Sequence, residues 1–227
     1  DFIVLDEPPP GADAAGEAPA SRPATIEGPP GGFYISGRVG GAFSQLRGVS
    51  ARFGGELNNT TPDALAFVSA VEGGFETHRL GAPLRLGVQL ASTNFAVFNL
   101  DETGGTTTAF TEIDVNSLSL MAVASVDLAG DLQIIDTGPV TPFITGGLGF
   151  SANFADVTDT AGGSFDDFTL DLAWMVGAGA ALALDDQLSL EARYAYTGRG
   201  DVAESAAGDF DPDLRAHEFT VGARYAF

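Results

Sequence analysis

With 227 residues, 31 acidic against 10 basic side chains and a net charge of −21, the chain is one domain, or one domain with a tail. It is a poor partner for nucleic acid, whose phosphates require a positive surface. All the basic residues are arginine, and the absence of cysteine excludes disulfides, thiolate catalysis and cysteine-bound metals. No apolar run approaches the roughly 20 residues of a spanning helix. The longest, residues 172–184 (LAWMVGAGAALAL), is rich in glycine, which favours a strand over a buried helix.

Residues 1–32 hold seven of the twelve prolines and six acidic residues against Arg22 alone. That composition buries too little apolar surface to repay ordering, so the segment reads as an extended Pro/Ala-rich acidic extension. Its tip, Phe2, Ile3, Val4 and Leu5, is the exception. The plain reading is an apolar end left by removal of a signal peptide; the sharper one is a docking peptide for a protein partner.

From Phe33 onward the chain alternates apolar and polar residues in short runs, the period-two signature of strands. Residues 33–43 place Phe33, Ile35, Val39 and Phe43 opposite Tyr34, Ser36, Arg38 and Gly40. A long polar loop is expected over 44–64, then a strand over 65–77 with Phe67, Val71 and Phe75 opposite Glu72 and Glu76. After a short link at 78–83, residues 84–93 set Leu84, Leu86, Val88 and Leu90 against Arg85, Gly87 and Gln89. Residues 94–114 read as a second long loop, and 115–128 as a strand.

A connection at 129–139, with room for a small hairpin, precedes a strand over 140–152. Residues 153–167 read as the third long loop. Residues 168–184 carry Phe168, Leu170, Leu172, Trp174 and Val176 on one face and Ala173, Gly177, Gly179 and Ala181 on the other. Asp185-Asp186 is a tight turn, 187–197 the seventh strand, and 198–213 the fourth long loop. The last strand, HEFTVGARYAF, alternates Phe219, Val221, Ala223, Tyr225 and Phe227 with Thr220, Gly222 and Arg224.

Eight strands with alternately long and short connections put both termini at the short-turn end. This is the organisation of an all-β, eight-stranded antiparallel up-and-down transmembrane barrel with an extended N-terminal tail. The opening FYISGRVG, the Thr-Pro-aromatic strand at 141–150 and the closing HEFTVGARYAF resemble the small opacity/outer-membrane-protein-A-like barrels over residues 33–227. The last seven residues also resemble the C-terminal assembly signal of bacterial outer-membrane barrels, with Gly222, Tyr225 and Phe227 in the signal positions. The resemblance implies residence in the outer membrane of a Gram-negative bacterium. It also implies contact with outer-membrane lipid and lipopolysaccharide and recognition by the barrel assembly machinery. The even strand count, with both termini at the short-turn end, places residues 1–32, which the resemblance does not cover, in the periplasm.

The faces opposite the apolar ones collect Arg38, Glu72, Glu76, Arg85, Glu191, Arg193, Glu218 and Arg224, four of each sign. Unpaired buried charge is costly, so this set reads as a salt-bridged interior closing the bore, with a narrow pore for ions or small solutes as the alternative. No cofactor is expected and no metal site is assigned. Asp209, Asp211 and Asp213 form the one weak candidate for a divalent cation, because the spacing lacks the glycine and glutamate of an EF-hand. No catalytic residue is assigned and no enzyme is expected. Barrels that deacylate lipid A carry His and Ser two residues apart, whereas His217 is followed by Glu218 and Phe219, and His78 by Arg79 and Leu80. A soluble lipocalin-like carrier would want its large apolar residues inside, against the inward charges here. The expected role is therefore structural or interactive: a closed barrel presenting acidic extracellular loops.

Overall fold

The computed structural model of the protein describes residues 32–47, 56–57, 63–77, 83–104, 107–128, 140–159, 164–201 and 213–227. The N-terminal segment with Phe2, Ile3, Val4 and Leu5, the 129–139 connection, and Asp209 and Asp211 lie outside these residues. The elements are β1 (Phe33–Arg47), the two-residue β2 (Glu56–Leu57), β3 (Asp63–Thr77), β4 (Leu84–Gly104), β5 (Thr107–Asp127), β6 (Val140–Asp159), β7 (Ser164–Ala183), β8 (Leu188–Asp201) and β9 (Asp213–Ala226). Eight long strands pair antiparallel with their neighbours in sequence. The first and last of them also pair, from Tyr34↔Ala226 to Arg47↔Asp213. That pairing closes the sheet into a barrel, so every long strand has two neighbours.

The alternation has one meaning along the whole wall. Leu170 and Val221 each expose more than half of their surface, while their polar neighbours Thr169 and Thr220 are buried. A band of that kind is stable only against hydrocarbon, because lipid replaces the core a soluble sheet would need. Aromatic pairs mark both ends of the band. Phe33–Phe75 and Tyr225–Phe227 meet edge to face at the end that holds Phe227. Trp174–Tyr196, Tyr194–Phe219 and Phe154–Phe168 make edge or tilted contacts at the other.

Two of the expected loops are strand instead. Residues 94–104 continue β4 and pair with the first half of β5 as far as Gly104↔Thr107. Residues 153–159 likewise continue β6 against β7 as far as Thr158↔Ser164. Their Asn, Thr and Asp content mimics a loop, but it is the composition of a strand whose outer face meets water. At 21 residues, β4 and β5 are about twice the 9–11 that a tilted strand needs to cross a bilayer. Two hairpins therefore project as folded sheet beyond the membrane, at the end opposite Phe33 and Phe227, which in such barrels is extracellular. The fourth expected loop is trimmed at both ends, since β8 runs to Asp201 and β9 begins at Asp213.

Bulges adjust this long wall. The register slips between Thr93 and Ala96, where β4 leaves the membrane band, and between Gly198 and Asp201 on β8. Gly200 sits in the second bulge at a φ of 69°, a conformation that favours glycine. At the opposite end Asp185 accepts the backbone N–H groups of Gln187 at 2.8 Å and Leu188 at 2.7 Å, fixing the turn before β8. Those bonds hold its carboxyl below the ordinary aspartate range.

Candidate functional site

Among the described residues, ion pairs of both signs converge in the bore, which has two layers. In the membrane-spanning layer, inward positions of β1, β3, β4, β5, β8 and β9 supply the charges. Arg38 Nη2 donates to Glu72 Oε2 at 2.6 Å, and the Tyr34 hydroxyl donates to Glu72 Oε1 at 2.7 Å. Room for the Tyr34 phenol comes from Gly74 and Gly87, where an added Cβ would lie within 2.7 Å of its hydroxyl. Arg85 Nη1 bonds Glu191 at 2.7 Å and its Nη2 bonds Asp127 at 2.9 Å, with the guanidinium 4.6 Å from the centre of the buried Phe143 ring. Arg224 bridges Glu191 and Glu76, each at 3.0 Å. Higher in the bore Arg199 holds Glu218, which also accepts a bond from Thr197 at 3.1 Å.

The eight inward charges named from the sequence thus line one continuous bore. Seven of them form ion pairs; Arg193 instead donates to Gln89 Oε1 at 2.9 Å. Two charged partners lay outside that set. Asp127 closes β5, and Arg199 fell within an expected loop. The signal for Arg199 was present: Arg193, Ala195, Thr197 and Arg199 keep the same inward phase without interruption. Gln89 and Tyr34 complete the polar network as neutral partners, a role that charge counting overlooks.

The second layer was not anticipated. At the extracellular end of the bore the inward residues become apolar: Ala42, Leu46, Ala64, Ala66, Val68, Ala96, Phe98, Ile113, Val115, Ala155, Leu214 and Ala216 form one buried cluster. Leu46, Phe98 and Ile113 are 0 % exposed. Six strands (β1, β3, β4, β5, β6 and β9) meet here beyond the polar layer as in the core of a soluble domain. Below this cluster, Asn153 is bonded to Ser117, Ser151 and the Arg199 and Asp201 carbonyls, a polar layer at the boundary.

His217 and Glu218, adjacent in sequence, face opposite sides of β9. His217 Nδ1 is 2.8 Å from the Tyr194 hydroxyl on the outer wall, while Glu218 is buried in the bore. The pair cannot act as a general-base dyad. Asp213 lies in β9, not in a loop, and accepts a bond from Arg215 Nε at 2.7 Å. On the outer face of the projecting sheet Asp114, Asp156 and Asp166 align across β5, β6 and β7. The hydrogen bond to Asp166, reinforced by neighbouring negative charge, pushes the Asp156 carboxyl above its ordinary range.

A closed eight-stranded barrel with a polar bore and an apolar outer band is matched by the family model for the outer membrane protein beta-barrel domain, which covers residues 14–227. The chain belongs to that family. Outer membrane protein PagN of Salmonella typhimurium is 28% identical over 222 residues, spanning 86% of this chain and 90% of that protein. The crystal structure of Neisserial surface protein A superposes with a TM-score of 0.52 at 21% identity, covering 86% of this chain and 97% of that one. The protein is accordingly an outer-membrane barrel of the Gram-negative type, in contact with the lipids of that membrane.

Proposed function

We propose that the barrel is a closed structural and interaction protein: it spans the outer membrane without conducting and presents two rigid acidic hairpins to the exterior. The observation that carries this reading is the apolar cluster seated across the extracellular end of the bore, above a layer already filled by ion pairs. Water and ions passing through would have to cross Leu46, Phe98 and Ile113, side chains without exposed surface. The absence of a catalytic role is part of the same reading, and the separation of His217 from Glu218 supports it. Planar-bilayer recordings of the purified protein test it. The expected trace is flat; reproducible large steps would establish the pore reading instead.

The β4–β5 and β6–β7 hairpins carry Glu112, Asp114, Asp156, Asp166 and Asp167 on folded sheet. Their charge favours a cationic partner at the cell surface, steered by long-range attraction that salt screens. The apolar tip Phe2–Leu5 is a second docking element, toward a neighbouring barrel or a periplasmic protein. Gly222, Tyr225 and Phe227 serve the assembly machinery in the same proposal.

A further inference from the structure

Midway along the bore, two guanidinium groups converge on one neutral acceptor. Arg38 Nη2 and Arg193 Nη1 both donate to Gln89 Oε1, at 2.6 and 2.9 Å. Arg38 is compensated by Glu72 at 2.6 Å, with Glu191 at 3.8 Å. Among the described residues no carboxylate lies within ion-pair distance of Arg193, although its side chain is buried. Arg193 Nε and Nη2 have no acceptor among the protein's atoms. The same holds for Arg38 Nε, and the buried hydroxyl of Thr220 is likewise without a partner. Thr220 stands directly across the β8–β9 ladder from Arg193, and on its other side faces Gly40 of β1, which adds no side chain.

Donors dominate this place. A guanidinium has five N–H groups and no acceptor, so whatever completes Arg193 must accept. Charge narrows the choice further. Among the described residues the charge network of the bore draws on five arginines (Arg38, Arg85, Arg193, Arg199, Arg224) and the carboxylates of Glu72, Glu76, Asp127, Glu191 and Glu218, but these are unevenly shared. Glu191 serves Arg38, Arg85 and Arg224, Glu218 is taken by Arg199 and Thr197, and Glu72 by Arg38 and Tyr34. A water molecule would complete the hydrogen bonds of Arg193 and leave its charge facing Arg38. An anion completes both, in a low-dielectric interior where an uncompensated charge is costly.

We propose that the barrel holds a small monovalent anion of the halide class at this level, bound by Arg193 Nε and Nη2 with the Thr220 hydroxyl donating and Arg38 on the far side. The site stands independently of the closed-barrel reading, because a captured ion needs no conducting path. Crystals of the full chain grown in sodium bromide provide the direct test. An anomalous peak within hydrogen-bond distance of Arg193 and Thr220 is expected; an ordered water there, or a peak only elsewhere, overturns the proposal. In solution, thermal unfolding in detergent should shift upward, and saturate, as sodium chloride or bromide replaces sodium gluconate at constant ionic strength. Arg193→Met should abolish the halide dependence. Should that variant fail to fold, Thr220→Val, which keeps the shape and loses the donor, should weaken the dependence. Equal melting in halide and gluconate, or an unchanged halide response in Thr220→Val, contradicts the assignment.

Discussion

A single side chain in this wall is read by two solvents, and its cost depends on which face it occupies. Val88 and Val221 stand near the middle of the apolar band, opposite Gly73 and Val39 respectively. Arginine at either should cost about 2–4 kcal/mol when refolding into lipid is measured, against roughly 0–1 kcal/mol for a site near the interface. Inside the bore the energetics differ. Glu72→Leu leaves Arg38 and the Tyr34 hydroxyl without their carboxylate, and loss of one member of a buried pair costs roughly 3–5 kcal/mol. Urea titration of both variants in the same vesicles compares the two faces. Most of these assignments were legible from alternation alone, because a residue's face follows from parity. Arg199 was not, because Gly198, Gly200 and Asp201 around it carry the composition of a turn.

At the scale of the strand and hairpin, length was the hardest property to read. In β4 the inward positions are Arg85, Gln89, Ala91 and Thr93, then Ala96 and Phe98, because the bulge between Thr93 and Ala96 shifts the phase. A phase slip erases the period on which strand recognition rests, so Phe98 read as part of a loop and the apolar cluster above the bore stayed hidden. The projecting β6–β7 hairpin has a pH dependence of definite sign. Asp156 has a folded-state pKa above its ordinary value, owing first to its bond with Asp166, so its stabilising contribution is complete at low pH. It is lost as the pH rises through the folded value. Amide exchange across 154–158, divided by the intrinsic base-catalysed rate, should therefore accelerate as the pH rises through that folded-state value, and Asp156→Asn should flatten the change. Asp185 has the opposite sign: its lowered pKa makes the turn before β8 firmest above the ordinary aspartate range and loosens it as acid protonates the carboxyl.

For the whole molecule, closure joins the first strand to the last, so the C-terminal residues are both part of the wall and the proposed address for assembly. Phe227 donates its N–H to the Phe33 carbonyl at 2.9 Å and packs edge to face with Tyr225. Deleting it removes one interfacial ring, a few kcal/mol at most by apolar area, so refolding from urea into detergent should be nearly normal. In cells the proposed signal would be lost, and the amount of protein in the outer membrane should fall sharply; equal surface levels would count against the signal. Deletion of residues 1–30 should spare the barrel and change only its association with partners, as judged by heat-modifiable mobility and cross-linking. The family and fold were visible in the sequence because eight apolar faces and an aromatic last strand repeat one physical demand. The sealing of the bore was less visible, because it depends on residues far apart in sequence, such as Leu46, Phe98 and Leu214, meeting across the barrel.

The closed bore is the central claim, and permeation through paired variants tests it most directly. In planar bilayers the wild type and Arg38→Ala/Arg193→Ala should both remain silent, since the apolar layer still covers the enlarged polar one. Adding Leu46→Ala and Phe98→Ala to that background should produce discrete conductance steps. Stable channels in the wild type, or in the arginine variant with Leu46 and Phe98 in place, would contradict the account.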